Sequence, residues 1–142
     1  MPGILCVPNN IENPPVVILL AGSGPNDKDE TIGPNKPLKD IALGLASNGI
    51  ASLRYDKRTH VYGAKLDLDK TGINEEVIDD ALSAIKILRA HVLTKESKII
   101  VAGHSLGAMC APLIAAKIKD VSAIILLAGP ARPLEDLVLE QY

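Results

Sequence analysis

Residues 101–109 read V-A-G-H-S-L-G-A-M and follow directly on Lys98-Ile99-Ile100. A serine with glycine two places before and two places after, between a strand and a helix, predicts a sharp bend with positive φ at the serine. Residues 103 and 107 then approach each other so closely that only the smallest side chains fit. The helix start beneath such a bend offers unpaired N–H groups and positive potential, which suit a developing oxyanion. The pattern points to Ser105 as a nucleophile, with Gly103, His104 and Gly107 shaping its turn. The competing reading is a glycine-rich strand-to-helix turn that carries an incidental serine.

The rest of the chain supplies a frame for this bend. Short β-branched runs at 3–7, 16–20, 50–55, 98–102 and 122–128 alternate with helical patterns at 37–48, 74–91 and 106–117. That alternation predicts an α/β fold, a three-layer, mostly parallel sheet with helices on both faces. Asn74 is expected to cap the second helix, and Pro112 to interrupt and bend the third. Residues 56–72 read as one long loop, and 133–141 as a further helical start opening a cap or linker at 133–142.

With strand order 50–55, 16–20, 98–102, 122–128, the chain direction across the sheet switches between the second and third strands. Open α/β sheets bind ligands at such a point, beyond the strand C-termini. Ala21-Gly22-Ser23-Gly24-Pro25 would then face the bend at 103–107, on a loop shaped by Gly22 and Gly24. The backbone N–H groups of Ser23 and Leu106 become the expected oxyanion pair. A dinucleotide fingerprint is the rival reading of Gly22-Ser23-Gly24. It fails because Asp27 stands where a third glycine is needed and Pro25 has no N–H for phosphate.

Composition narrows the partners. The chain has 142 residues, one domain's worth, with no Phe or Trp, so its core must be aliphatic. The net charge of −2 and the lack of a basic block argue against nucleic acid. The apolar runs at 16–21 and 123–128 are far shorter than the ~20 residues of a membrane span. No basic start followed by an apolar stretch suggests a leader. Cys6 and Cys110 lack metal or redox spacing and read as thiols in a reducing cytoplasm.

Four longer words carry a resemblance: V-V-I-L-L-A-G-S-G-P-N-D-K-D-E-T-I-G-P-N-K-P at 16–37, L-R-Y-D-K-R at 53–58, G-H-S-L-G at 103–107 and L-A-G-P-A-R-P-L-E-D-L at 127–137. Together they resemble the α/β-hydrolase superfamily, and within it bacterial serine esterases related to dienelactone hydrolases and prolyl-oligopeptidase-type domains. The resemblance implies hydrolysis of a small carboxylic ester through an acyl-enzyme on Ser105, with no metal or organic cofactor. It implies Ser23 and Leu106 as the oxyanion donors. Ala21 departs from the His of many relatives, and Ala108 from their Gly.

The family's acid and histidine follow the nucleophile, whereas residues 106–142 contain Asp120, Glu135, Asp136 and Glu140 but no histidine. The chain thus resembles the front half of a longer hydrolase and is expected to be a poor catalyst alone. His104 should diverge from its neighbour Ser105, His91 should lie at the far edge, and His60 should be a solvated loop residue. Arg54, Asp56 and Arg58 are expected to tie loops together by salt bridges, with a substrate role as the alternative. The acids at 27–30 are open between the same two roles and a merely solvated turn. A serine peptidase of the same superfamily and a non-catalytic binding half-domain are the alternatives. An uncovered strand at 122–128 and an apolar face at 134–138 predict a homo-oligomer.

Overall fold

Val16, Val17, Ile18, Leu19 and Leu20 are all buried, so the strand they form has to be covered on both faces. In the computed structural model, which describes residues 1–67, 70–132 and 136, this strand (β2, Val16–Leu20) is the centre of a five-stranded sheet. Its neighbours are β3 (Ala51–Tyr55) on one side and β4 (Ile99–His104) on the other, with β5 (Val121–Leu127) beyond β4. These four strands are parallel. The expected order and the expected layers are both present. β1 (Gly3–Cys6) adds an antiparallel edge to β3, with Gly3 opposite Tyr55.

Alternation along β2 and β4 divides the core. Val16, Ile18 and Leu20, with Ile99 and Val101, pack under Ala81, Ile85 and Leu88 of α3 (Asp79–Ala90) and Cys110 and Ile114 of α4 (Leu106–Lys117). Val17, Leu19 and Ala102 face Leu38 and Ala42 of α1 (Pro37–Ser47) on the opposite side. The chain runs from β2 through α1 to β3, then back across β2 to β4. The segments after β2 and after β4 consequently leave the same end of the sheet next to each other.

Three expectations need correction. Residues 56–72 are not one loop, because α2 (Arg58–Tyr62) and a 3₁₀ turn at Gly63–Lys65 occupy them. Asn74 does not cap a helix. It begins a π-helical turn, Asn74–Ile78, that runs straight into α3, and Glu75 reaches back to accept the Gly72 N–H at 2.9 Å. Pro112 does not interrupt α4, whose helical run continues to Lys117. Pro112 is exposed, on the helix side turned away from the sheet. The run at 133–141, apart from residue 136, lies outside the described residues.

β5 leaves Ile124, Ile125 and Leu126 exposed at 38%, 43% and 51%. No described helix is long and apolar enough to cross a membrane.

The segment between β2 and α1 is fastened to β3 rather than free. Asp29 accepts from Arg54 Nε at 2.8 Å and from Lys36 Nζ at 3.2 Å, and both Asp29 and Arg54 are buried. Burial acts to raise the Asp29 pKa, but the hydrogen bonds and charges of Arg54 and Lys36 outweigh it and hold the carboxyl below its ordinary 3.8. A carboxylate depressed in the folded state stabilises fully above its unfolded pKa. That stability is lost as pH falls through the folded pKa. We expect urea unfolding between pH 6 and pH 3 to show a marked loss of stability at the acid end. Arg54→Met should be less stable at pH 6 and should lose less on acidification.

Candidate functional site

Leu20 pairs with Gly103 on the last rung shared by β2 and β4. Just past that rung, Ser105 adopts φ 50° and ψ −113°, a left-handed bend between β4 and α4. The bend is pinned from both sides: the Ser105 N–H donates to Leu127 O at 3.0 Å, and the Met109 N–H donates to Ser105 O at 3.1 Å. Two glycines make it possible. A β-carbon added at Gly103 would sit 2.1 Å from the carbonyl carbon of Gly107. One added at Gly107 would sit 2.7 Å from Leu20 O and 2.8 Å from Ala21 O. The second contact seats the start of α4 directly on the end of β2.

Leu106 opens α4 and has no carbonyl one turn behind it to take its N–H. Among the described residues, no backbone partner is found for the N–H of Leu106 or of Ser23. Ser23 is exposed and Ser105 half-buried, so solvent reaches this end of the sheet.

The 21–25 loop meets the bend as expected. A β-carbon at Gly22 would lie 3.3 Å from Ser105 Cβ and 3.3 Å from His104 Nδ1. Gly24, at φ 91°, has nothing within 4 Å of its missing side chain. An open cavity of about 420 Å³, lined by Gly24, Pro25, Thr59, Gly63, Ala64 and Glu76, adjoins the loop.

What the sequence reading missed is how tightly this loop is held. The Gly22 N–H donates to Glu30 Oε1 at 2.7 Å, and the same oxygen faces His104 Nδ1 at 2.9 Å. The Gly22 carbonyl accepts from Lys57 Nζ at 2.9 Å and from Asn26 Nδ2 at 3.1 Å. Lys57 also pairs with Glu76 Oε1 at 2.9 Å, and its own N–H donates to Asn26 O at 3.0 Å. Of the readings open for the acids at 27–30, the merely solvated turn is therefore set aside in favour of loop-tying contacts. Asp27 binds Thr31 through backbone and hydroxyl, Asp29 binds Arg54, and Glu30 is buried. No periodicity could have linked Glu30 to a residue 74 positions away. Only the fold brings them together.

The ion pairs expected at 54–58 are present, with Asp56 accepting from Lys28 at 3.1 Å and Arg58 Nε donating to Asp80 at 3.0 Å. Each histidine has its own occupation. His104 is engaged with Glu30. His60 is exposed as expected, but sits on α2 rather than in a loop, with Nδ1 3.1 Å from Pro25 O. His91 ends α3 and accepts the Leu93 N–H at 3.3 Å. Cys6 and Cys110 are free thiols, and burial pushes the Cys110 thiol up, so it stays protonated. Among the described residues, no group of three or more His, Cys, Asp or Glu side chains is placed to hold a metal ion.

Comparison with known proteins extends these observations. Residues 82–141 match the family described as BAAT / Acyl-CoA thioester hydrolase C terminal. The chain is 49% identical over 141 residues to Esterase EstD of Thermotoga maritima, covering 99% of this chain and 33% of that protein. Its structure resembles Est1E from Butyrivibrio proteoclasticus, solved with ferulic acid, at TM-score 0.70 and 23% identity, covering 90% of this chain and 48% of that one. It also resembles the dienelactone hydrolase from Anabaena variabilis at TM-score 0.68 and 22% identity, covering 86% and 54%. The chain thus spans a third of the length of the curated relative and about half of each of these two solved structures.

The bend's dependence on glycine can be tested by stability alone. Gly103→Ala places a methyl inside the backbone of Gly107 and should cost about 3 kcal/mol or more. Gly44→Ala is the control, because Gly44 lies inside α1 with open space around its α-carbon. It should gain about 0.5–1 kcal/mol. Urea midpoints of the two variants should move in opposite directions.

Proposed function

We propose that this chain belongs to the α/β-hydrolase superfamily and carries the nucleophile elbow and oxyanion hole of a serine esterase. The observation that supports this most is the strained Ser105 at φ 50°, set against Gly22 across the switch point of the sheet. Backbone strain of this kind at a half-buried non-glycine residue is characteristic of functional sites. In this reading Ser105 Oγ attacks the carbonyl carbon of a carboxylic ester. The tetrahedral oxyanion accepts hydrogen bonds from the Ser23 and Leu106 N–H groups, neither of which has a backbone partner among the described residues. Collapse expels the alcohol and leaves an acyl group on Ser105, which water later removes. The word esterase in the name of the 49% identical relative favours oxygen esters as the substrate class.

Among the described residues, no hydrogen-bond acceptor is found for the Ser105 hydroxyl. His104 and His60 are turned to Glu30 and Pro25, and His91 closes α3. In this reading the general base and its carboxylate partner lie outside the described residues. An oxyanion hole and binding without the full triad leave a residual acceleration of roughly 10³–10⁴ over water. We place the chain in the cytoplasm, on the strength of its two free thiols. We read β5, with its exposed isoleucines, as the edge on which a second copy pairs.

Two measurements test these readings. A fluorophosphonate probe should label the 142-residue chain slowly, at Ser105 only, and Ser105→Ala should abolish the label. Steady-state turnover of p-nitrophenyl acetate should stay within about tenfold of that of Ser105→Ala. Rapid turnover would refute the missing base, and labelling elsewhere would refute the nucleophile. Light scattering should find a dimer or larger assembly that Ile125→Lys reduces to monomer. A monomeric parent chain would dispose of the edge-pairing reading.

A further inference from the structure

We infer that Lys57, with Asn26, sets the direction of the Ser23 N–H by holding the carbonyl of the same peptide unit. Lys57 is thereby a positioning residue for the oxyanion. The inference rests on the reading of Ser23 as an oxyanion donor.

The Gly22 carbonyl and the Ser23 N–H belong to one planar, trans peptide and point in opposite directions. Whatever fixes the oxygen fixes the hydrogen. That oxygen accepts two donors, Lys57 Nζ at 2.9 Å from the interior and Asn26 Nδ2 at 3.1 Å from the loop itself. The peptide has reason to need holding. Gly22 and Gly24 flank Ser23, and glycine crosses between φ regions at little steric cost. A rotation of this one peptide would turn the Ser23 N–H out of the cleft and put a carbonyl oxygen in its place. An oxyanion would then meet repulsion instead of a donor.

Lys57 is suited to prevent that rotation. Its side chain is only 5% exposed, and its ammonium is anchored by Glu76 Oε1 at 2.9 Å. Glu76 is itself fixed by the Thr59 hydroxyl at 2.8 Å. A buried ion pair adds little to stability by comparison with apolar packing, so stability alone is a weak reason for it. Here the ammonium also makes a charge-assisted bond to a neutral carbonyl. That charge polarises the peptide and strengthens the Ser23 N–H as a donor. The Lys57 backbone N–H binds Asn26 O as well, so one residue ties both ends of the 22–26 loop. On the other side of Gly22, Glu30 holds the preceding N–H at 2.7 Å.

The test separates positioning from folding. In the 142-residue chain, Lys57→Met should slow fluorophosphonate labelling of Ser105 by about 10- to 100-fold, less than or equal to the loss of one oxyanion donor. Adding Glu76→Gln removes the carboxylate left unpaired and should restore the melting temperature toward that of the parent chain. The labelling rate should stay low. Recovery of the rate along with stability would reduce Lys57 to a structural role. Relaxation dispersion at the Ser23 ¹⁵N reads the peptide without any chemistry. It should be flat in the parent chain and appear in Lys57→Met as the peptide samples its rotated state. A flat profile in Lys57→Met overturns the inference even if Ser105 reacts as proposed. Dispersion without Ser105 labelling upholds the clamp while removing the esterase reading beneath it. If Lys57→Met does not fold, Asn26→Ala carries the same two readouts, with a smaller slowing expected.

Discussion

The first turn of α4 lies against the end of β2, with the Gly107 α-carbon so near the Leu20 and Ala21 carbonyls that a methyl group there would overlap them. Much of the site geometry depends on this contact. It seats the helix over the neighbouring strand and forces β4 to turn sharply at Ser105. The loop that leaves β2 is thereby held beside the serine. A side chain at 107 would lift the helix start away and separate the two segments.

Around that contact the molecule is uneven in character. Its interior is aliphatic and follows the alternation of β2 and β4, which any sequence of the same pattern would reproduce. The end of the sheet where β2 and β4 stop is instead built from charged and polar side chains. Asp29 with Arg54, Asp56 with Lys28, Lys57 with Glu76, and Glu30 with His104 all converge on residues 21–31 or the turn after β3. This polar collar gives a loop with few apolar side chains a defined shape. A loop that must present backbone N–H groups cannot be held by burying itself, since burial would exclude whatever it binds. Side chains that grip its carbonyls and amides from behind leave its front face open.

The chain's relation to larger hydrolases bears on what the site can do. The strands, the bend and the loop opposite it all lie within these residues, whereas no histidine here is turned toward Ser105. Presentation of a hydroxyl and stabilisation of an anion depend on local backbone geometry. A catalytic base adds a separate requirement, a side chain brought in from another part of the sheet edge. The two tasks are physically separable, and our proposal assigns only the first to this chain.

Sequence alone determined the main strands, the layers and the bend at Ser105, because period-2 and period-3.6 patterns and the G-x-S-x-G spacing are local signals. The strand order is instead a matter of pairing across the sheet. Leu38, Ala42, Ile85 and Leu88 all face the core as their spacing requires. Local signals misled where a helix boundary depended on what lay across from it, as at Asn74, inside a π-helical turn rather than at its cap. The clamp on Gly22 was decided by tertiary structure, since its parts lie at positions 26, 30, 57, 76 and 104 and no repeat connects them. Glu30 reads as a surface acid until the parallel pairing of β2 with β4 puts it 2.9 Å from His104. Hydrogen bonds between side chains and backbone act over a few ångströms and leave no periodic trace. Only the assembled sheet reveals which charges meet.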